Sequence, residues 1–502
     1  MFRDKNIIVL IILTCASQVL YLASEFYFTN GQLGFPLDDS WIHLQFVKTF
    51  HQGYFFQYNI GDPTAGTTSP LWVVLISGLF FIIPNLIFNA IFLSFISFLF
   101  VVVYSYKLFQ FSFNTLQFEN AKFLIFVSSL LVVFSGRLNW AALSGMETNL
   151  FCLFCLTAVY YFLTKPDNKI LIFVLLGLAS ATRPEGYLLS LIMLSYILFK
   201  ERKISANLLI GIFLFLIISA PYLLFSYLIR GNILPNTFEG HGGGRSYLPN
   251  LNYLRIVGVY FFRDNAVLGV LWLAGLIVYI INFKKFREKL GDLNLIFIWV
   301  YLLPLVYSIA IPNHRHHLRY LIPLIPFFTL IGIITLNFLA VSIKQNKFTS
   351  FLKSKTIYYI ILFFSLPYYF VYMAYIGLNT QNINDQQVKL AMWVKENVPE
   401  NEAIAINDIG AIKYFNGNKI IDMEGLVNSD ILRFRKYDIN TRLDSTINLL
   451  KKNNVSHLVI YDEWYPDFIN KYKDKLTFIT SAKLERNTIC GGDEMKVYKI
   501  TY

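Results

Sequence analysis

Charge is scarce in this chain. Of its 502 residues, 15% are Asp, Glu, Lys or Arg and 56% are hydrophobic; a soluble chain carries roughly a quarter charged. That balance excludes an ordinary soluble globule and implies many membrane-crossing helices. Cysteine is also scarce, with four residues, so no disulfide framework is implied. Cys152 and Cys155 form a C-x-x-C inside an apolar run, where thiols three apart share a helix face and pack. A structural zinc site needs a second ligand pair. His241-Gly-Gly-Gly244 is not accompanied by a Gly-x-Ser-x-Gly elbow, which removes a lipase-like reading. No small-residue cleavage site follows the first apolar run, residues 7–22, so it is read as a retained first helix. The net charge of +12 lies in short loops, as the positive-inside rule expects. No basic stripe with a reader motif is visible, so no nucleic-acid partner is expected.

What the chain does have is a series of apolar runs. They begin with residues 7–22 and continue through 70–83, 86–106 and 121–135 to 319–343 and 356–378. Several are shorter than the ~20 residues a crossing helix needs, so bent or re-entrant segments are expected. Arg3 and Lys5 place the start in the cytoplasm, with Asp38-Asp39 outside. The basic loops at 165–169, 200–203, 284–289 and 344–355 read as cytoplasmic. The Arg183-Pro-Glu-Gly186 turn, residues 230–250, residues 313–319 and the tail then lie outside with Asp38-Asp39. The first half does not close: counting forward from the first helix and back from Lys165 gives opposite sides for residues 107–120. From about residue 379 helical and strand patterns alternate, as in an α/β or α+β domain. The expected fold is a polytopic α-helical membrane protein of about 11–13 transmembrane helices with a C-terminal extracytoplasmic α/β domain. Residues 1–378 form the membrane module, residues 24–69 its first outer loop, and residues 379–502 the tail.

The outer loops gather the titratable groups and sort them by sign. Carboxylates come early, at Asp38, Asp39, Asp62, Glu147 and Glu185. Cations come late, at Arg183, Arg245, His314, Arg315, His316, His317 and Arg319. Charge beside a bilayer is costly and usually functional. A carboxylate with a cation cluster suits attack on a phosphate-linked carbon. The carboxylate takes a proton from an acceptor hydroxyl, and cations hold the departing phosphate. Asp-Asp also suits a helix start, Arg183-Pro-Glu a local ion pair, and the His-Arg run an interfacial belt.

Five motifs occur in order: Leu37-Asp-Asp-Ser-Trp-Ile, Gly66-Thr-Thr-Ser-Pro-Leu-Trp, Gly145-Met-Glu-Thr-Asn-Leu-Phe, Arg183-Pro-Glu-Gly and Leu234-Pro-Asn-Thr-Phe. Together they resemble the GT-C superfamily of integral-membrane glycosyltransferases, and more narrowly the family of the mycobacterial terminal β-1,2-arabinofuranosyltransferase. Asn407-Asp-Ile-Gly-Ala-Ile-Lys-Tyr-Phe and Ile421-Asp-Met-Glu-Gly-Leu-Val fit the exported domain of such proteins, and Arg319-Tyr-Leu-Ile-Pro-Leu-Ile-Pro their late helix. The resemblance implies a polyprenyl-phosphate sugar donor and an inverting displacement at the outer leaflet. It also implies that Asp38 or Asp39 is the base. Glu147, Arg183, Glu185 and Asn236 fall on family motif positions and become substrate-site candidates. Met146 stands where the family usually has Leu, and the apolar surface is richer in Phe and Ile, so arabinose does not follow.

The expectation is therefore a hexosyl- or pentosyltransferase of the bacterial cytoplasmic membrane. Its acceptor would be a glycan, a lipid-linked molecule or a protein. Asp38 or Asp39 would act as base, with some of Arg183, His316, His317 and Arg319 on the donor phosphate. No cofactor is required. The rivals are a metal-assisted oligosaccharide transferase, with a divalent ion on Asp39 and Glu147, and a lipid or solute transporter. Charges gathered at one face and the lack of an internal repeat weigh against transport.

Overall fold

The computed structural model describes residues 4–233, 248–313, 315–342 and 347–502. The chain divides into two compact units. One comprises residues 1–23, 91–220 and 244–374; the other comprises residues 24–90, 221–243 and 375–502.

Six helices among the described residues are long and apolar enough to cross a membrane: Lys5–Phe28, Leu86–Thr115, Ala206–Arg230, Phe283–Ala310, Arg315–Ser342 and Lys355–Asn397. The pair Ala121–Val133 and Gly136–Leu143, bent by 49°, makes a seventh if it is one broken span rather than a re-entrant loop. Shorter apolar helices at Pro70–Phe80, Thr148–Thr164, Lys169–Thr182 and Ala266–Ile281 complete the series. This is a multi-pass membrane protein. Pro70–Phe80 bears on the topology that the charges left open. Its 11 residues reach only about 16 Å at 1.5 Å per residue, about half the hydrocarbon thickness. A count of crossings that leaves this helix out gives the same side for residues 107–120 in both directions.

The second unit joins the first loop to the tail. The tail sheet runs β4-β3-β5-β7-β6, with β3 Ala403–Ile406, β4 Ile420–Asp422, β5 Val455–Ile460, β6 Leu476–Lys483 and β7 Glu494–Ile500. β3 pairs parallel with β4 and β5, while β7 pairs antiparallel with β5 and β6. The helix Ile439–Lys452 starts where the Asp438 side chain accepts from the Asn440 and Thr441 amides. It buries Leu443, Ile447 and Leu450, spaced for one helix face, in the core with Leu458 and Ile460.

The first loop closes the free edge of this sheet. Its hairpin is β1 Gln57–Asn59 and β2 Asp62–Pro63. Asn59 donates from Nδ2 to the Ile420 carbonyl at 2.9 Å and accepts from the Ile420 amide at 3.0 Å. One side chain thus satisfies both backbone groups of an edge-strand residue. Tyr58 donates to the Ile409 carbonyl at 2.8 Å and Thr64 to the Val427 carbonyl at 3.1 Å.

The topology is tested by labelling. Ile82→Cys, in a background with the four native cysteines replaced, is expected to react with an impermeant maleimide on the same side as the first loop. Glu119→Cys should react only after permeabilisation. Labelling of Ile82→Cys from the inside would mean that Pro70–Phe80 crosses.

Candidate functional site

In the loop-and-tail unit, Pro36 and an extended Leu37 (φ −141°) lead into the helix Asp38–His51. Both acids fall in its first turn, where the helix dipole favours negative charge. The Asp38 carboxylate does not cap its own helix. Its Oδ2 accepts from the Gly410 amide at 2.7 Å, and its Oδ1 accepts from the Ala411 amide at 2.8 Å. These amides open the short helix Gly410–Phe415. Trp41, 1% exposed, packs against Phe35, Tyr414 and Phe415 at 4.9–5.1 Å between ring centres. Lys48 lies 4.3 Å over the Tyr414 ring and donates to its carbonyl at 2.6 Å. Gly410 has no room for a side chain. A Cβ there would sit 2.0 Å from the Asp38 carbonyl oxygen and 2.7 Å from its carboxylate.

A third carboxyl group completes the cluster. Asp408 accepts from Gln387 Nε2 at 2.8 Å on Oδ2, lies 3.0 Å from the Tyr461 hydroxyl, and faces the charges of Asp38 and Asp39. Burial pushes Asp38 up to about 8, with Asp408 and Asp39 adding to the rise. Burial likewise pushes Asp408 up to about 6. It raises Asp422 to about 7, although the Val427 and Glu424 amides pull that group down. Like charges this close do not all ionise at neutral pH. Asp39, partly exposed, is the cluster member next to Asp38 on the same helical turn.

In the helical unit, Arg183 leaves the helix Lys169–Thr182 in extended conformation, and Pro184 starts the next. Its guanidinium is shared between two carboxylates. Nη1 pairs with Glu147, while Nε and Nη2 reach Glu185 at 3.1 and 2.9 Å. All three side chains are nearly fully buried. Tyr307 donates to Glu185 at 2.5 Å and stacks on Tyr320, whose ring lies 4.9 Å from Arg183 and 5.2 Å from Arg319. Gly186 lets the two helices touch: a Cβ there would come within 2.4 Å of the Ser180 amide nitrogen.

His316, His317 and Leu318 take left-handed backbone angles in succession (φ 54°, 58° and 54°). Such conformations are costly and persist where surroundings enforce them. Arg137, wholly buried and paired with Asp264, donates to the His317 carbonyl at 3.4 Å. The His317 ring meets Trp140 and Tyr372 edge-on at 5.1 and 5.2 Å. His316 and Arg319 flank this segment, Arg319 at 7% exposure.

The structure thus brings Glu147, Arg183 and Glu185 into one cluster, with Tyr320 linking Arg183 to Arg319. It brings Asp38 and Asp39 together with Asp408. Asn236, Arg245 and His314 lie outside the described residues. Among the described residues no group of three or more His, Cys, Asp or Glu is arranged to hold a metal ion. Sequence reasoning missed Asp408, Gln387, Tyr461, Tyr307 and the Arg137–Asp264 pair. Only Asp408 carried a signal, as part of the quoted Asn407-Asp-Ile-Gly string.

The model of a domain of unknown function, DUF8728, matches residues 381–498. No curated protein matches the sequence. Several solved structures share the architecture. ArnT from Cupriavidus metallidurans, bound to undecaprenyl phosphate, is 13% identical with a TM-score of 0.59, covering 97% of each chain. The oligosaccharyltransferase of Archaeoglobus fulgidus in its apo form is 13% identical with a TM-score of 0.59, covering 91% of this chain and 70% of that one. Archaeal AglB from Archaeoglobus fulgidus, in complex with an inhibitory peptide and a dolichol-phosphate, is 12% identical with a TM-score of 0.55, covering 94% and 73%. At such identities the likeness defines the fold. The chain has the GT-C fold, a polytopic helical membrane protein with a C-terminal α/β domain.

Two outcomes follow. The raised carboxyls of the loop-and-tail unit hold protons that the unfolded chain releases near the ordinary value of 3.8. The folded state therefore binds more protons between about pH 4 and 8, and stability falls as pH rises through that window. Melting of the detergent-solubilised protein should come earlier at pH 8 than at pH 5, and Asp38→Asn should shrink the difference. A melting temperature that rises with pH contradicts the assignment. Gly410→Ala should destabilise this unit by about 2–4 kcal/mol through overpacking and loss of the Asp38 bonds, measured by denaturant unfolding.

Proposed function

We propose that this protein is an inverting glycosyltransferase. It moves a sugar from a polyprenyl-phosphate donor to an acceptor hydroxyl at the outer face of a bacterial cytoplasmic membrane, with the tail exposed on that side. The observation that carries this reading is the division of labour within Asp38-Asp39. Both oxygens of Asp38 are committed to backbone amides, so Asp38 is a positioning residue. Asp39, one residue on in the same helical turn, takes the acceptor's proton as general base. The attacking oxygen forms the new glycosidic bond as the carbon–phosphate oxygen bond breaks, and the lipid phosphate departs with the electron pair.

In the helical unit, Arg319 is the proposed ligand of the donor phosphate, because a guanidinium fork matches phosphate oxygens. Arg183, already matched by Glu147 and Glu185, braces Tyr320 beside it. His316 and His317 present further donors, and Asn236 is kept as a substrate contact on the motif resemblance. The fold shared with proteins bound to undecaprenyl phosphate and dolichol-phosphate supports a lipid-phosphate substrate. The motif likeness to the terminal arabinofuranosyltransferase family leaves the sugar as a hexose or a pentose. The acceptor is a glycan, a lipid-linked molecule or a protein. The metal-assisted alternative needs Glu147 as a ligand, and that group is paired with Arg183.

A transfer assay in membranes, with a panel of polyprenyl-phosphate sugars, tests the proposal. Wild type should consume one donor. Asp39→Asn should lose at least about 10²-fold in kcat, and Asp38→Asn should lose less, with lowered stability. Chelators should leave the rate unchanged. An active Asp39→Asn variant contradicts the assignment of the base. Transbilayer movement of the lipid-linked sugar without its consumption replaces the transferase with a transporter.

A further inference from the structure

Hydrogen-bond accounting around Asp408 leaves one proton to place. Gln386 Nε2 lies 3.3, 3.2 and 3.3 Å from the carbonyl oxygens of Ala482, Gly492 and Asp493, so it is the donor end of that amide. Its Oε1 is then the acceptor, 2.7 Å from the Tyr461 oxygen. A phenol has one proton, and Tyr461 spends it on Gln386. The Tyr461 oxygen is nevertheless 3.0 Å from Asp408 Oδ2. Gln387 Nε2 donates near both, at 2.8 Å to Asp408 and 2.9 Å to Tyr461, and its Oε1 accepts from Cys490. The Asp408–Tyr461 contact is a hydrogen bond only if Asp408 supplies the proton.

A second observation lies next to it. Asn407 is 2% exposed and donates from Nδ2 to Asp408 Oδ1 at 3.5 Å. Its own Oδ1 has no hydrogen-bond partner among the described residues. A buried acceptor without a donor marks a missing group. Asn407 is adjacent in sequence to Asp408, and a hydroxyl group is a donor that matches both an amide oxygen and an uncharged carboxyl.

We infer that Asn407 and Asp408 of the tail form an uncharged acceptor-binding pair, in which Asp408 keeps its proton against Tyr461 and the two side chains receive hydroxyls of a polyol acceptor such as a sugar. The inference rests on the glycosyltransferase reading and names the acceptor's chemistry. The titratable groups facing Asp408 are Asp38, Asp39, Glu424, Tyr461 and Cys490. All of them become negative when they ionise, so all favour the protonated form. Burial acts in the same direction and outweighs the hydrogen bonds that pull the group down, of which the one from the Gln387 amide is the larger.

Asp408→Asn is the deciding variant, because it removes the titrating carboxyl while keeping the shape of the side chain; its amide N–H reaches Tyr461 but also meets the donating Gln387 amide. Its readout is the pH dependence of the acceptor KM rather than the rate at one pH. Asp408→Ala and Asn407→Leu should each raise the acceptor KM about tenfold with the donor KM unchanged. The wild-type acceptor KM should climb as pH rises above about 6, and that of Asp408→Asn should stay flat. Infrared difference spectra near pH 6, wild type against Asp408→Asn, should show a protonated carboxyl stretch in wild type alone; this readout needs no substrate. An Asp408→Asn variant whose acceptor KM keeps the wild-type pH dependence, or no carboxyl band, overturns the inference. If wild type consumes no donor, the transferase reading falls while the infrared band still decides where the proton resides.

Discussion

The grip of the Asp38 carboxylate on the Gly410 and Ala411 amides is the constraint on which the loop-and-tail unit depends. A buried backbone amide needs an acceptor, and the Asp38 carboxyl group supplies one to each of two amides through its two oxygens. It fixes the start of the helix Asp38–His51 on the start of the helix Gly410–Phe415. Trp41 and Lys48 then meet Tyr414 one and three turns further on, and Asn59 reaches the edge of β4. The missing Cβ of Gly410 belongs to the same contact, since any larger residue would displace Asp38. The first loop and the tail, far apart in sequence, become one folded body through this group.

The helical unit solves a different electrostatic problem. Buried charge is tolerated only when matched, and Arg183 is matched by Glu147 and Glu185 while Arg137 is matched by Asp264. Neither arginine is then spare charge. Each serves as a brace: Arg183 holds Tyr320, against which Arg319 lies, and Arg137 holds the left-handed His316–Leu318 segment that precedes Arg319. A motif that looks like a cation site by composition is thus, by geometry, largely the support of its neighbour.

Much of this was legible in the sequence, and the reasons differ by element. The membrane class followed from scarce charge, and the tail's strands from short apolar runs between turns. β3, β4 and β5 stand out in the sequence as short apolar runs because buried parallel strands are nearly continuous in Val, Ile and Leu. Asp38-Asp39 stood out because carboxylates beside a bilayer are expensive. Asp408 was hidden because its partners Gln387 and Tyr461 lie 21 and 53 residues away, and no local period encodes such pairings. Arg137 was hidden at the end of an apolar run, where a single cation reads as a boundary. The length of Pro70–Phe80 was hidden because the run 70–83 looks continuous while its helix stops at Phe80.

The central claim is that Asp38 holds the first loop and the tail as one body. Amide hydrogen exchange of the full-length protein tests it most directly, by comparing wild type with Asp38→Ala at the Gly410 and Ala411 amides and at β4. Wild type should protect both amides, and Asp38→Ala should lose that protection together with part of the protection of Ile420–Asp422, where Asn59 covers the sheet edge. Unchanged protection at Gly410 and Ala411 in Asp38→Ala would contradict the account, because those amides would then owe their burial to something other than the Asp38 carboxylate.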